Sequence, residues 1–359
     1  MDYQHGGDIL GYELRYGTPP LDFSANLNPL GMPPQVAEAA RRAVGESWAY
    51  PDPFSRRLTA ALARKRGLDP DTILFGNGAA DLIFRAVQAL RPRLALVPAP
   101  TFAEYGQALE AVDCRVRRHR LDADCHFDLD GEFIRQVTEG VDLVFLCQPN
   151  NPTGRLTSPG LVEQLLDRCR RVGARLVLDE SFLSFVSGGD ALSLAGEVGK
   201  HPHLLVLDSF TKLYGMAGLR LGVAYCGDPD LRRHIAQNGQ PWAVSTVAQA
   251  AGLAALGQDR YVEETLALVR EQKARLVPAL EALGLTVLGG EANYLFFHSP
   301  DPRLHHKLAG RGLMIRDCAN YPGLGQGYYR IAVRLPEQNL RLLEAIRQSL
   351  TQGEEDQHG

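Results

Sequence analysis

The sequence lacks the features that mark several large classes of protein. It has no run of the roughly 18 apolar residues that a membrane-spanning helix requires, and its first residues lack the basic start and apolar run of a signal peptide. Its formal net charge of −4 offers no basic surface to nucleic acid. The six cysteines are scattered without a CxxC pair, so we expect reduced thiols. These absences predict a soluble cytoplasmic protein without a membrane or nucleic-acid partner.

Short apolar runs alternate with amphipathic stretches through the middle of the chain. The runs are rich in Val, Leu and Ile and lie at residues 94–98, 141–146, 175–180, 204–209 and 219–225. The stretches between them carry apolar residues at helical spacing. Strands that are apolar on both faces and separated by helices predict an α/β protein, with a mostly parallel sheet covered by helices.

The two ends of the chain differ from this middle section. We expect residues 1–45, which begin Gly- and Pro-rich, to form an N-terminal arm and part of a smaller domain. Residues 46–258 are predicted to form the large domain. A long helical pattern and three short strand-like runs predict a smaller α+β domain at residues 259–351, followed by a polar tail at 352–359. Because no Ser- or Gly-rich linker separates these parts, we expect them to pack as one unit.

Lys212 directly follows an apolar strand, in the segment SFTKLYGMAGLRLG. The carboxyl ends of parallel strands are where α/β folds bind their ligands. Ser209, Thr211 and Arg220 flank this lysine, and the grouping suits a nucleophilic amine beside a phosphate. Taken alone, the segment is equally well explained by an exposed loop lysine with an incidental arginine.

Three further segments offer partners to a flat, phosphate-bearing cofactor. Asp179 ends the strand in VLDESF, where a buried carboxylate needs a cationic partner such as a protonated pyridine nitrogen. Asn151, in the turn QPNNPTG, can donate a hydrogen bond to a phenolic oxygen. The turn GNGAAD leads into a helix whose first N–H groups, at Ala79 and Ala80, would face an anion. The alternatives are a capping or salt-bridged aspartate and two ordinary turns.

Two aromatic residues extend this set. Phe102, in PAPTFAEY, follows a strand and can stack on a pyridine ring, and Tyr50, in WAYPDP, can offer its hydroxyl to a phosphate. Each of them, taken singly, is more often explained by ordinary core or surface packing.

The order GNGAAD, PTFAEY, PNNPTG, LDES and SFTK…GLRLG resembles that of the class I/II aminotransferases, which depend on pyridoxal 5′-phosphate (PLP) and have fold type I. The resemblance implies that Lys212 forms the Schiff base to PLP. It implies that the other contacts to the cofactor come from Asp179, Asn151, Phe102, Ala79, Ala80, Ser209 and Arg220. It also implies a homodimer, in which Tyr50 reaches the cofactor phosphate of the neighbouring subunit. Phe182 departs from the pattern, because many relatives have a tyrosine there, and this departure counts against transamination.

Within this superfamily the chain resembles two branches, the threonine-phosphate decarboxylases of cobalamin biosynthesis and the histidinol-phosphate aminotransferases. Its opening motifs HGGDI and DFSANLNPLGMP, together with residues 240–249 and 315–334, are similar to those of the decarboxylases. The resemblance implies decarboxylation of L-threonine O-3-phosphate to (R)-1-amino-2-propanol O-2-phosphate, with the aminotransferase as the alternative. Serine phosphate stays open as a substrate, because one methyl group contributes about 1–3 kcal/mol of discrimination. A PLP-sensing regulator would need a DNA-binding segment, for which 359 residues leave no room.

A substrate with a carboxylate and a phosphate needs several cations and donors. We expect these from the arm and the smaller domain, at His5, Asn26, Arg316, Arg330 and Arg334, together with Asn151. The resemblance implies that Arg330 binds the α-carboxylate and that Arg316 meets the phosphate. A disordered position for His5 and a solvated strand end for Arg334 remain alternatives. The pair His305–His306 has no further ligand candidates nearby, so no metal site is predicted.

Overall fold

The computed structural model describes residues 5–355, with side chains up to residue 351. Its strands are β1 (Leu21–Asp22), β2 (Ile73–Gly76), β3 (Leu94–Ala99), β4 (Arg115–Arg120), β5 (Leu143–Cys147), β6 (Arg175–Asp179), β7 (Leu204–Ser209), β8 (Gly222–Cys226), β9 (Thr286–Gly289), β10 (Tyr294–His298), β11 (Leu313–Met314), β12 (Arg316–Asp317) and β13 (Tyr328–Ala332). Its α-helices are α1 (Ile9–Tyr16), α2 (Pro34–Val44), α3 (Arg56–Arg66), α4 (Gly78–Leu90), α5 (Ala103–Glu110), α6 (Gly131–Arg135), α7 (Pro159–Val172), α8 (Phe210–Leu213), α9 (Pro229–Gln237), α10 (Thr246–Ala255), α11 (Asp259–Ala282), α12 (Leu304–Ala309) and α13 (Pro336–Glu355).

Seven strands form the main sheet, in the order β2-β8-β7-β6-β5-β3-β4. The strands from β7 to β4 are parallel, whereas β8 runs antiparallel to both of its neighbours. Alternate residues of one strand pack on opposite faces: Leu176 and Leu178 of β6 join one core cluster, and Val177 joins the other. The predicted α/β fold with a mostly parallel, helix-covered sheet is confirmed.

The edge strand β4 was not among the predicted strands. Its sequence, RVRRHR, contains four arginines, so its pattern is not that of a buried strand. It pairs along β3 at the end of the sheet, where charged side chains can reach solvent and oppose pairing with another chain.

A second sheet of four antiparallel strands has the order β12-β13-β10-β9. Its core cluster includes Leu276 and Leu280 of α11 and Leu342 and Ile346 of α13. The N-terminal region joins this part of the molecule, because β1 pairs in parallel with β11 and Phe23 is fully buried in the same cluster.

The N-terminal region also contains the short helix α1, which we had not predicted. Asp8 caps its start by accepting a hydrogen bond from the N–H of Gly11, and Gly17 ends it with a φ of 80°. None of the helices in residues 5–355 combines the length and the apolar character needed to span a bilayer. All six cysteines are free thiols.

Candidate active site

A cavity of about 540 Å³ lies where β5, β6 and β7 end. Cys147, Asp179 and Ser209, the last residues of those three strands, line it, because parallel strands present their carboxyl ends at one edge of the sheet. Arg316 and Arg330 of the second sheet and residues of the N-terminal region form the facing wall.

Lys212 lies in this cavity on α8, a single helical turn that directly follows β7. The Ser209 hydroxyl caps that turn by accepting a hydrogen bond from the N–H of Thr211 at 3.2 Å. Burial, together with the nearby Arg220 and Arg330, lowers the pKa of Lys212 to about 8, against the opposing effect of the acidic neighbours Glu104 and Asp179. The amine therefore loses its proton far more readily than an exposed lysine, which makes it a nucleophile and a proton carrier near neutral pH.

Asp179 is a buried carboxyl group that faces the same cavity, with 2% of its surface exposed. Its Oδ2 accepts a hydrogen bond from the Tyr105 hydroxyl at 2.7 Å, and its Oδ1 accepts one from the N–H of Ser181 at 3.0 Å. Burial raises the pKa of Asp179, while the hydrogen bonds from Ser181 and Tyr105 oppose that rise. A cationic group in the cavity would complete this arrangement, since a buried carboxylate needs a counter-charge.

Donors for an anion converge at the start of α4, where Ala79 and Ala80 line the cavity. Gly222 packs against this turn so closely that a Cβ at that position would lie 2.3 Å from the amide nitrogen of Ala79. The Arg220 guanidinium lies against Gly78. The hydroxyl oxygen of Thr211 is buried without a hydrogen-bond partner among the described residues. A helix start, a guanidinium and a spare hydroxyl together form a site for a phosphate.

Asn151 and Arg330 are held in the cavity by each other. Arg330 donates one hydrogen bond to Oδ1 of Asn151 and another, of 2.8 Å, to the carbonyl oxygen of Ser24. Its Nε is buried without a partner within residues 5–351. The turn that carries Asn151 is fixed by its neighbour Asn150, whose side chain donates to the carbonyl of Pro100 at 3.0 Å. Arg330 is thus a fixed cation with donor capacity left for an anionic ligand.

Most of the residues predicted from the sequence line this cavity. They are Ala79, Ala80, Phe102, Asn151, Asp179, Ser209, Lys212 and Arg220 from the side of the main sheet, and His5, Asn26, Arg316 and Arg330 from the facing wall. Both polar atoms of the Asn26 side chain are buried and have no hydrogen-bond partner in the part of the chain that is described. Arg316 donates to Oδ1 of Asn320 at 2.7 Å and lies over the ring of Tyr321.

Two predicted residues lie elsewhere. Tyr50 is 79% exposed and stacks on Trp242, with 4.2 Å between the ring centroids, and it does not line the cavity of its own chain. Arg334 is half-buried outside the cavity lining, and its N–H donates to Oδ1 of Asn339 at 3.0 Å. Burial lowers the pKa of Arg334, and the nearby Asp22 opposes this effect.

Some residues of the site were not singled out from the sequence. Tyr105 and Glu104 belong to the motif PTFAEY, and their place in the first turn of the helix that follows a parallel strand was the available signal. Phe182, the departure from the family pattern, lines the cavity with its ring centroid 5.9 Å from Nζ of Lys212. Among the described residues no group of three or more His, Cys, Asp or Glu side chains is arranged to hold a metal ion.

The fold and the cavity define an α/β enzyme whose buried lysine lies beside an anion site and a buried carboxylate. The family model described as aminotransferase class I and II matches residues 18–346, and the chain belongs to that family. It is 39% identical over 353 residues to the threonine-phosphate decarboxylase of Salmonella typhimurium. The matched residues make up 97% of this chain and 96% of that protein. It is 36% identical over 334 residues to the histidinol-phosphate aminotransferase of Symbiobacterium thermophilum, with 91% and 90% of the two chains covered.

A solved structure has the same fold. The histidinol-phosphate aminotransferase of Sinorhizobium meliloti, in complex with pyridoxal-5′-phosphate, superposes with a TM-score of 0.87 over 98% of this chain and 96% of that one, at 23% identity. The residues that line the Lys212 cavity fit such a cofactor. Around this cavity lie a buried carboxylate, an aromatic ring, a phosphate site and an amine.

Proposed function

We propose that this protein is a PLP-dependent decarboxylase that converts L-threonine O-3-phosphate to (R)-1-amino-2-propanol O-2-phosphate and carbon dioxide, a step of cobalamin biosynthesis. The observation that carries the proposal is the 39% identity to a threonine-phosphate decarboxylase over 97% of the chain. The identity extends over nearly the whole chain and is not confined to the main sheet.

PLP, when bound, supplies the electron sink that stabilises negative charge at Cα of the substrate. Asp179 would pair with its ring nitrogen, Asn151 would contact its phenolic oxygen, and Phe102 would stack on its ring. The phosphate would be held by the N–H groups and side chains that line the anion site: Ala79, Ala80, Ser209 and Arg220. The spare hydroxyl of Thr211 supports this assignment, since a buried donor without a partner is costly.

The substrate residues lie on the facing wall. Arg330, which Asn151 and Ser24 hold in place, would bind and orient the carboxylate that is to be lost. Arg316, His5 and Asn26 would bind the phosphate of the substrate. Lys212 would attach the cofactor through its amine and, after the substrate displaces it, return a proton to Cα. A pKa near 8 suits this proton transfer, because the amine can both accept and release a proton near neutral pH.

The oligomeric state and the location are part of the proposal. Four large aromatic side chains are exposed, and two of them, Tyr50 and Trp242, stack on each other; this supports a homodimer, because exposed apolar surfaces mark interfaces. The four are Trp48, Tyr50, Phe54 and Trp242. In that dimer Tyr50 would reach the cofactor phosphate of the neighbouring subunit. The six free cysteines suit a reducing compartment such as the cytoplasm.

Histidinol-phosphate aminotransferase is the second candidate, and the 36% identity to such an enzyme favours it. The two candidates share Lys212, Asp179 and the cofactor site, so the reaction must be measured directly. We expect the purified holoenzyme to release carbon dioxide from threonine phosphate. The proposal is wrong if it releases none from threonine phosphate or serine phosphate and instead converts histidinol phosphate with 2-oxoglutarate.

The role of Lys212 is tested by colour. We expect the wild-type protein to be yellow and to lose its colour on treatment with borohydride, which would link PLP to the lysine. The variant Lys212→Ala should show neither the borohydride-fixed adduct nor turnover. A covalent adduct mapped to another lysine would refute the assignment.

A further inference from the structure

Glu104 is an acidic residue of the cavity to which the proposed function assigns no role. It lies in the first turn of α5, two residues after Phe102, and lines the cavity with 15% of its side chain exposed. Its Oε1 lies 3.6 Å from Nε2 of His5, which comes from the facing wall. Its Oε2 is buried and has no hydrogen-bond partner among the described residues. The carboxyl group thus connects the two walls of the cavity through His5.

The surroundings of His5 and Glu104 favour the neutral form of each side chain. Burial lowers the pKa of His5, and Arg316, Arg330 and Lys212 lower it further. Burial, with a smaller contribution from Asp179, raises the pKa of Glu104 to about 7, against the opposing effects of a backbone hydrogen bond, Lys212 and Arg220. Tyr321 is a further titratable group that faces Glu104. Between the lowered pKa of His5 and about pH 7 the pair therefore holds one titratable proton, and that proton is on the carboxyl group.

A dianion bound beside His5 changes this balance. Negative charge near the imidazole stabilises its protonated form, and the ionised carboxylate on its other side then completes an ion pair. The separation of 3.6 Å is slightly longer than a hydrogen bond, a distance that commonly shortens when a ligand binds.

We propose that Glu104 is a positioning residue for the substrate phosphate, which acts by passing its proton to His5 when the phosphate binds. The O–H bond of Glu104 breaks and an N–H bond forms at Nε2 of His5, which leaves a carboxylate beside an imidazolium. The total charge of the Glu104–His5 pair does not change, but the positive charge now lies on His5, next to the ligand. The enzyme thereby gains a third cation beside Arg316 and Arg330, and most of the proton comes from Glu104 rather than from solution. The inference rests on the proposed function in that the substrate carries a phosphate.

The variant Glu104→Gln tests this transfer, because the amide has the same shape and no proton to pass on. Sulfate is the probe, since it is a dianion that does not titrate in this range, and the PLP-loaded enzyme is used so that the cofactor phosphate site is filled. Proton uptake on sulfate binding is measured by calorimetry at pH 6.5, in buffers of different ionisation enthalpy. With a Glu104 pKa of about 7, the wild type should take up about a quarter of a proton. The variant should take up more than about half, because the pKa of its His5 is below 6.5.

Steady-state kinetics give an independent measurement. The KM for threonine phosphate should begin to rise above about pH 7 in the wild type, and already below pH 6.5 in Glu104→Gln, with the larger effect in KM rather than in kcat. The matched variant His5→Gln should bind sulfate more weakly, and adding Glu104→Gln to it should have no further effect.

Equal proton uptake and equal KM profiles in the wild type and Glu104→Gln would overturn the inference, as would a full additional effect of Glu104→Gln in the His5→Gln background. If Glu104→Gln did not fold, His5→Gln alone would decide the question: sulfate binding as tight as in the wild type would exclude the transfer. The sulfate measurement does not involve turnover. A failure of the decarboxylase proposal would therefore appear in the carbon dioxide assay and not here.

Discussion

Replacing Tyr105 with phenylalanine tests how the chain keeps Asp179 ionised. Asp179 is almost fully buried, and the Tyr105 hydroxyl donates to its Oδ2 at 2.7 Å. The substitution removes this hydrogen bond together with the contact that the same hydroxyl makes with the Cys147 thiol. The ring stays, and with it the stacking of residue 105 on Phe145, whose centroid is 4.6 Å away. The pKa of Asp179, which burial already raises, should rise further in the variant.

The size of the effect follows from the strength of the lost bond. A hydrogen bond to a charged group contributes about 1.5–3 kcal/mol, and about 1.4 kcal/mol corresponds to a factor of ten. The carboxylate form of Asp179 should therefore lose about 10- to 100-fold in stability relative to the protonated form. Since we propose that this carboxylate pairs with the ring nitrogen of PLP, kcat for carbon dioxide release should fall by up to the same factor.

The assay is carbon dioxide release at saturating PLP and substrate, with the PLP affinity of each variant measured alongside. Tyr294→Phe is the matched control, because Tyr294 is also fully buried and its hydroxyl donates to the backbone carbonyl of Asn150 at 2.7 Å rather than to Asp179. A kcat of Tyr105→Phe within twofold of the wild type would refute the reasoning. An equal loss in the control would mean that the effect is general to buried tyrosines.

Two further predictions concern cofactor binding and stability. Gly222→Ala should weaken PLP binding at least tenfold in a spectroscopic titration, because the added Cβ would collide with the anion site. The control is Gly160→Ala, whose Cβ would meet nothing within 4 Å, and it should bind PLP as the wild type does. Glu180→Gln should change the pH dependence of stability. Burial raises the pKa of Glu180 from 4.5 to about 7, so the folded wild type holds this proton longer than the unfolded chain and loses stability as the pH rises through that range.

Urea unfolding tests the Glu180→Gln variant, and the PLP titration tests Gly222→Ala. In urea unfolding, the stability of Glu180→Gln relative to the wild type should improve by about 2 kcal/mol between pH 5.5 and pH 8. A difference that does not change with pH would contradict this prediction. For Gly222→Ala, wild-type PLP affinity in a folded variant would show that the turn at Gly78 can move aside.

The fold and the centre of the site were predictable because their signals are local. An apolar run followed at once by a polar or charged side chain, as at Asp179 and Lys212, predicts both a buried strand and a group at its carboxyl end. Strand β4 was missed for the same reason, since its arginines carry no local pattern of burial.

Tyr50 and Arg334 were predicted as site residues, but neither lines the cavity. A motif can indicate a phosphate contact at Tyr50, but this side chain stacks on Trp242 and does not line the cavity of its own chain. Arg334 follows Arg330 by four residues, and the chain leaves the strand β13 between them. Sequence spacing alone does not tell whether a side chain beyond a strand end still faces the cavity.

The sequence by itself determined the α/β class and predicted most of the side chains that line the cavity around Lys212, because strand patterns and motifs are written in consecutive residues. The tertiary structure alone decided which distant side chains meet. The pairing of His5 with Glu104, 99 positions further along the chain, depends on how the N-terminal region packs against the sheet. So do the burial of both groups and the proton that they share, since desolvation is a property of the folded surroundings and not of the residue.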